Sequence, residues 1–340
     1  MLTPLTNFDA LKANTPDSEP NNFQNIKCEI GPWEPSPLQD KEVLIRAHYS
    51  SINYKDALAV TGKGKILRKL PLVPGIDVAG IVEASAHPDF SEGQKVLVTG
   101  CGLGENIHGG YARQVVAPGN DVIALPEGLS LKESMIFGTA GFTAALAIHQ
   151  LELNGLKPEK GEVLVTGATG GVGCLSLQIL KKLGYQTRAW TRKEDLCPWL
   201  LEIGATSAES IKDKDFQSRP LASAQWSAAI DNVGDNYLSF ILPRIHLWGS
   251  VASIGLAKSP LLQTTVFPFI LRGVNILGIS SGNCPPELRA QIWSLLATTY
   301  KPKNLEYCLS AELKLSELSV YARSMVAGQT KGRALVRLTE

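Results

Sequence analysis

From about Gln24 to Pro126 the apolar residues come in short, β-branched-rich runs broken by glycine, proline or aspartate. EVLIRAHYSSIN (42–53), DVAGIVEAS (77–85), QKVLVTG (94–100) and YARQVVAP (111–118) are the clearest. Short strands with frequent turns predict a small β-rich barrel or sandwich. The pattern changes near Ser130. SLKESMIFGTAGFTAALAIHQLEL (130–153) has helical length, with Ser130 as cap and Glu133 three residues on completing a capping box. Strands and helices then alternate. Glu162–Gly167 reads as a strand leading into a helix through Gly184, and Gln186–Thr191 as a strand before a helix ending at Gly204. Ala228–Asn232 is a strand, Asn236–Arg244 a helix, and Gly249–Gly255 and Asn275–Ser280 are further strands. This order predicts an α/β fold with an open, mostly parallel, doubly wound sheet. Pro285–Tyr300 reads as a helix and GRALVRL (332–338) as a last strand. The tail is expected to rejoin the N-terminal domain, because chain ends tend to lie near each other. The expected division is 1–130 for the β-rich domain, 131–284 for the parallel sheet, and 285–340 for the return.

Length supports two domains, since 340 residues exceed the roughly 250–300 at which single cores stop growing. A net charge of +1 gives no electrostatic reason to expect nucleic acid or a membrane surface as partner. Cys28, Cys101, Cys174, Cys197, Cys284 and Cys308 are scattered without a C-x-x-C pair, as expected for reduced thiols in the cytoplasm. Residues 1–22 lack a basic start followed by an apolar run, so no signal peptide is expected. The longest uncharged run, Ser134–Leu151, holds two glycines, two threonines and a histidine, which favours a buried helix over a membrane span.

The sharpest motif is VLVTGATGGVG (163–173), with Ala168-x-Gly170-x-x-Gly173 directly after an apolar strand and directly before a helix. One glycine permits a tight turn, one lets backbone approach a pyrophosphate, and one lets helix and strand pack closely. The helix start offers free N–H groups and partial positive charge. NAD sites place an acid near the end of the second strand to bind the ribose 2′-hydroxyl. Here that place holds Trp190-Thr191-Arg192-Lys193. Arg192 and Lys193 attract a 2′-phosphate and Thr191 can donate to it, so NADPH is expected over NADH. Glu194 follows and reads as a first-turn acid of the next helix.

These residues, with SSINYKDALAVTGKGK (50–65), PGIDVAG (74–80), GTAGFTA (138–144) and AIDNVG (229–234), resemble the medium-chain dehydrogenase/reductase superfamily. NYKDALAVTGKGK, GENIHGG (104–110) and TTVFPFILRGV (264–274) are most similar to its acryloyl-CoA reductase group, often labelled quinone oxidoreductases. The resemblance runs from about Lys41 to Arg337. It implies a GroES-like catalytic domain built from both chain ends, a central Rossmann domain, and NADPH in the cleft between them. Its cofactor contacts fall on Tyr54, on Thr169, Gly170, Gly171 and Val172, on Thr191, Arg192 and Lys193, and on Leu256, Ile270, Ser281 and Gly328. A basic contact that the family places after the second helix meets Ile211 here.

The resemblance also bears on metal. Zinc-containing relatives use a cysteine near the first N-terminal motif and a Gly-His-Glu further on, where this chain has Asn53 and Gly75-Ile76-Asp77. Isoleucine cannot ligate and an amide is a poor zinc ligand, so no metal is expected. Without a Lewis acid to hold an alkoxide, the expected chemistry is hydride addition to an activated C=C or to a quinone. In an α,β-unsaturated thioester, hydride at the β-carbon leaves an enolate that needs a hydrogen-bond donor, and the α-carbon needs a proton. Tyr54, on the turn that faces the cleft in this family, either donates a proton or packs against the cofactor. Asn53 either donates to an oxyanion or holds its own turn. Asp56 reads as structural and His108 as a loop histidine. Lys63, Lys65, Arg68 and Lys69 suit the phosphates of CoA, or simply solubilise a loop. The expected function is NADPH-dependent reduction of acryloyl-CoA (2-enoyl-CoA) to propanoyl-CoA. A quinone or enal reductase and a non-catalytic NADPH-binding regulator are the alternatives. NILGIS (275–280), free of charge and proline, is the expected edge strand; in this family such edges join across a two-fold axis, so a homodimer is expected.

Overall fold

The computed structural model describes residues 8–15, 26–217 and 219–339. In chain order it contains β1 (Phe8–Asn14), β2 (Lys27–Trp33), β3 (Glu42–Ser51), α1 (Tyr54–Thr61), β4 (Asp77–Ser85), β5 (Lys95–Thr99), β6 (Gln114–Pro118), β7 (Ile123–Ala124) and α2 (Leu131–Leu153). β8 (Val163–Val165), α3 (Gly171–Lys182), β9 (Thr187–Thr191), α4 (Cys197–Ile203), β10 (Ser207–Ser210), β11 (Trp226–Asp231), α5 (Asp235–Ile241), β12 (Ile245–Ser253), α6 (Phe267–Arg272) and β13 (Asn275–Gly278) follow. The chain closes with α7 (Pro286–Ala297), β14 (Leu309–Lys314), α8 (Leu318–Val326) and β15 (Arg333–Arg337).

The chain divides into two compact units. The first takes the chain up to Thr139, Gly282–Ala290 and everything from Leu309; the second takes Ala140–Ser281 and Gln291–Cys308. The first unit holds a sheet in the order β14-β15-β3-β4-β5-β7, with β6 also paired to β3, and a separate β1–β2 hairpin. Its pairings are antiparallel except β14 with β15. Val43, Ile45 and Ala47, two apart along β3, all turn inward onto Val78, Val96, Val115 and Val336, which is the period-two burial expected of a half-covered sheet. β15 lies between β14 and β3, so the tail does return to the N-terminal sheet.

The second unit is a six-stranded parallel sheet in the order β10-β9-β8-β11-β12-β13. Counting β8 as first, this is the 3-2-1-4-5-6 order of a doubly wound fold, whose direction reverses between β8 and β11. The two strands flanking the reversal are covered on both faces: β8 and β11 are buried at every position, whereas β10 and β13 at the margins are only partly covered. Trp190 and Trp226 meet edge-on with centroids 5.2 Å apart within this core. Residues 291–308 belong with this sheet, although the sequence reading sent all of 285–340 to the other domain. Trp293 stacks on Phe142, Ile292 and Leu296 are buried, and Gln178 Nε2 donates to the Asn304 carbonyl at 2.8 Å.

α2 begins as expected. Glu133 N donates to Ser130 Oγ (3.1 Å) and Ser130 N donates to the Glu133 carboxylate (2.8 Å). The helix is nevertheless two helices in series, broken at Gly138 (φ 50°, ψ −157°). It is the one described helix long and apolar enough to cross a membrane, and 83% of its most apolar stretch is buried within the protein.

Candidate active site

In the second unit the segment Thr166–Gly170 leaves the buried end of β8 and α3 begins at Gly171 without a side-chain cap. Its first-turn N–H groups are therefore left for an external acceptor. Gly173 is dictated by packing: a Cβ there would lie 2.5 Å from the Gly167 carbonyl oxygen and 2.7 Å from Ala168 Cα. The turn is braced from both neighbouring strands. Thr166 Oγ1 donates to Asp231 Oδ1 at 2.6 Å, and Asn232 donates to Thr166 through its backbone N–H (3.0 Å) and its side chain (2.8 Å). Asp231 also accepts from the N–H groups of Val233 and Gly234. Burial raises the Asp231 carboxyl above the usual range, and these donors oppose the rise. AIDNVG thus has a physical role, which the sequence reading used only as a family marker: its acid and amide hold the glycine-rich turn after β8.

On the other side Ala168 N donates to the Trp190 carbonyl (3.1 Å), and the hydroxyls of Thr169 and Thr191 lie 3.4 Å apart. Thr191 Oγ1 accepts from Lys193 N at 3.0 Å. Arg192 is exposed and Lys193 partly so. Burial holds the Lys193 ammonium below its ordinary value, with Asp195 opposing. Glu194 opens a single 3₁₀ turn, Glu194–Leu196, ahead of α4. Ile211, where the family places a basic contact, is buried in the core, and its N–H donates to the Thr191 carbonyl (2.8 Å). Because the six strands are parallel, the segments after β8, β9, β11, β12 and β13 all emerge at the carboxyl edge of the sheet. That places Thr169–Val172, Thr191–Lys193, Leu256 and Ser281 on one edge, at the strand-order reversal where ligands of such sheets bind. Leu256 is 64% exposed. Ile270, 69% exposed, sits in α6 within the β12–β13 crossover, and strand topology does not bring it to that edge.

In the first unit Tyr54 is the first residue of α1 and is 47% exposed. Beneath it lies a buried polar network. The Asn53 amide donates to Asp77 Oδ2 (2.7 Å) and Asp56 Oδ2 (3.1 Å), and its oxygen accepts from Arg333 Nη1 (3.2 Å). Ser51 Oγ donates to Asp77 (2.5 Å) and accepts from Arg333 Nη2 (2.9 Å). Arg333 Nε donates to the Ile136 carbonyl (2.8 Å), and Thr139 donates to Asp77 from its backbone N–H (2.9 Å) and hydroxyl (2.5 Å). Gly138 has to be glycine here. A Cβ would fall 2.6 Å from Asp77 Oδ2 and 2.7 Å from Ser51 Oγ, at a positive φ. Asp56 accepts from the N–H groups of Asn53 (2.9 Å) and Ile76 (2.9 Å), the structural role expected of it. Its carboxyl is pushed up to about 7 by burial and then by the charge of Asp77, against those hydrogen bonds.

With its amide committed to two carboxylates and a guanidinium, Asn53 serves its turn, and the geometry gives no support to its other expected role at an oxyanion. Ile76 is buried, and among the described residues no three His, Cys, Asp or Glu side chains gather as a metal site. Burial pushes the Cys101 thiol up to about 12, which makes it a poor nucleophile. Gly328 (φ 73°) follows α8, which packs against α1. Lys63, Lys65, Arg68 and Lys69 are all exposed on the segment after α1. The sequence reading missed Arg333, Asp77 and Thr139 as supports of the Tyr54 turn, because the first two stand 256 positions apart and no local pattern joins them.

Residues 39–127 match the model of the alcohol dehydrogenase GroES-like domain. Probable acrylyl-CoA reductase AcuI of Escherichia coli is 45% identical over 303 residues, covering 89% of this chain and 93% of the relative. Putative quinone oxidoreductase YhfP of Bacillus subtilis is 41% identical over 98% of this chain and 99% of its own; its structure, solved with NAD bound, superposes with a TM-score of 0.93. The yhdH oxidoreductase of Salmonella enterica, solved in complex with NADP, is 42% identical over 97% of this chain and 100% of its own, with a TM-score of 0.92. The chain therefore belongs to the medium-chain dehydrogenase/reductase superfamily, in the zinc-free branch that holds the acrylyl-CoA reductases and quinone oxidoreductases.

Proposed function

We propose that the chain is a cytoplasmic, homodimeric reductase that converts acryloyl-CoA to propanoyl-CoA with NADPH and without zinc. The observation that carries the reading is the uncapped start of α3 beside Thr191-Arg192-Lys193, in a chain whose 45% identical relative is named an acrylyl-CoA reductase. Thr169, Gly170, Gly171 and Val172 would hold the pyrophosphate, and Thr191, Arg192 and Lys193 the 2′-phosphate. The resemblance adds Leu256 and Ser281 at the same carboxyl edge of the sheet, and Tyr54, Ile270 and Gly328 elsewhere in the chain. When bound, the reduced nicotinamide supplies the hydride that the β-carbon accepts.

The chain's own part is to position the thioester, meet negative charge on its oxygen with a donor, and let a proton reach the α-carbon. Tyr54 is the side chain suited to the proton, since its ring stands on a rigid helix start and is half open to ligand. Its support is the Asn53–Asp77–Arg333 network, which fixes where α1 begins. The exposed Lys63, Lys65, Arg68 and Lys69 suit the phosphates of CoA. Six cysteines without a disulfide fit a reducing compartment.

The likeness to YhfP favours a second reading, reduction of a quinone or enal. Steady-state NADPH oxidation with acryloyl-CoA, crotonoyl-CoA and a benzoquinone separates the two. The highest kcat/KM is expected for acryloyl-CoA. A benzoquinone that matches or exceeds it moves the assignment to quinone reduction, and no turnover with any electrophile leaves a non-catalytic NADPH binder.

A further inference from the structure

The first unit carries an aromatic pair that the reaction does not use. Trp33, the last residue of β2, lies against the His108 imidazole with ring centroids 4.4 Å apart and planes tilted by 56°. Both side chains are only partly buried. His108 Nδ1 accepts the Val73 N–H at 3.2 Å, so the neutral ring carries its hydrogen on Nε2. Burial and then the nearby Lys69 ammonium lower the basicity of the ring.

Lys69 belongs to the basic segment Lys63–Lys69, which is anchored to the same turn. The Arg68 N–H donates to the Glu105 carbonyl at 2.9 Å. The acid of that turn is already answered, since Lys55 Nζ holds the Glu105 carboxylate at 2.9 Å. Two partly buried rings, an imidazole N–H donor and the Lys69 ammonium thus stand together on one unit, with three more exposed cations, Lys63, Lys65 and Arg68, on the same segment and the Glu105 carboxylate already paired.

Resting on the enoyl-CoA reading, we infer that Trp33 and His108 form the seat of the CoA adenine, with Lys63–Lys69 holding its 3′-phosphate and pyrophosphate. Adenine offers a flat π face to an indole and ring nitrogens that accept from an imidazole N–H, and phosphates select cations. The site is separate from the NADPH adenosine expected at the end of β9, which belongs to the other unit.

The test compares acryloyl-CoA with acryloyl-N-acetylcysteamine, which has the same alkene and thioester but no nucleotide, in the wild type and in Trp33→Leu and His108→Gln. Losing a stacked base typically costs about tenfold in binding. Each variant is expected to lose about that factor in kcat/KM for acryloyl-CoA and to keep its value for the truncated thioester. Adenosine 3′,5′-bisphosphate should inhibit acryloyl-CoA reduction competitively in the wild type and more weakly in Trp33→Leu. Parallel losses on both thioesters, or wild-type reduction that is indifferent to the bisphosphate, would overturn the seat. A wild type that reduces both thioesters with equal kcat/KM overturns the seat while leaving the enoyl-thioester reading in place. Reduction of neither thioester removes both.

Discussion

Three consecutive side chains at the end of β9 are proposed to meet one phosphate. Thr191 touches Thr169 and accepts from the Lys193 N–H, which links Arg192 and Lys193 to the glycine-rich turn. Changing Arg192 and Lys193 together to Ala is expected to weaken NADPH binding far more than NADH binding. A hydrogen bond to a charged group contributes about 1.5–3 kcal/mol, or one to two decades per contact. Titration of both cofactors by protein fluorescence checks this, and equal losses would remove the 2′-phosphate assignment. Asp56 gives a second prediction. Its folded-state pKa, about 7, stands above the unfolded value of about 4, so the folded protein binds the extra proton between them. Stability from this group is complete below about pH 4, is lost as pH rises towards 7, and stays lost above it. Denaturant melts from pH 4 to 8 should show wild type declining against Asp56→Asn across that window; a constant difference would mean that Asp56 does not titrate there. The glycine turn was legible because Gly167, Gly170, Gly171 and Gly173 fall within one short stretch. The Asn53–Asp77–Arg333 network was not, because its members meet only through the finished sheet.

Elements whose pattern is set by their own residues were the readable ones. β8 and β11 stand out because they are short apolar runs buried on both faces, while β10, Ser-Ala-Glu-Ser and only partly buried, gave no such signal. The break in α2 was hidden, since GTAG reads as small helical residues until Asp77, Ser51 and Arg333 are known to occupy the space of a Cβ at Gly138. β14 and α8 were hidden for a different reason: LSAELKLSELSVYARSMV lacks glycine or proline to divide a strand from a helix. The basic segment after α1 has its own prediction. A Lys63/Lys65/Arg68/Lys69→Ser variant should lose kcat/KM for acryloyl-CoA and hardly change with a benzoquinone, which carries no phosphate. The loss should shrink as salt rises, since the Debye length falls from about 10 Å at 0.1 M to about 3 Å at 1 M. Equal losses on both substrates would mean that the segment shapes the site without recognising phosphate.

For the whole molecule the exposed margin of the second unit sets the expectation. β13 ends the parallel sheet, pairs on one side only with β12, and carries no charge from Asn275 to Gly278. Leu261, Val266 and Leu271 add exposed apolar surface in the same unit. An uncharged open edge of this kind tends to pair. Light scattering at micromolar concentration is expected to give a dimer, and Ile276→Lys, which puts a charge on that edge, a monomer. A monomeric wild type would count against pairing through β13.

The place of β15 has a consequence for how the chain acquires its shape during synthesis. The second unit is complete in sequence once Cys308 has been made. The first is interleaved around it, and its sheet waits for Arg333–Arg337, which separates β14 from β3 and carries the guanidinium that steadies Asn53. The nascent chain therefore holds β3 with β4 and β6 but without β15 until nearly the last residues leave the ribosome, while every strand of the parallel sheet is already made. Translation that stops a dozen residues early leaves out β15 whole, and with it the Arg333 guanidinium beneath the turn that carries Tyr54.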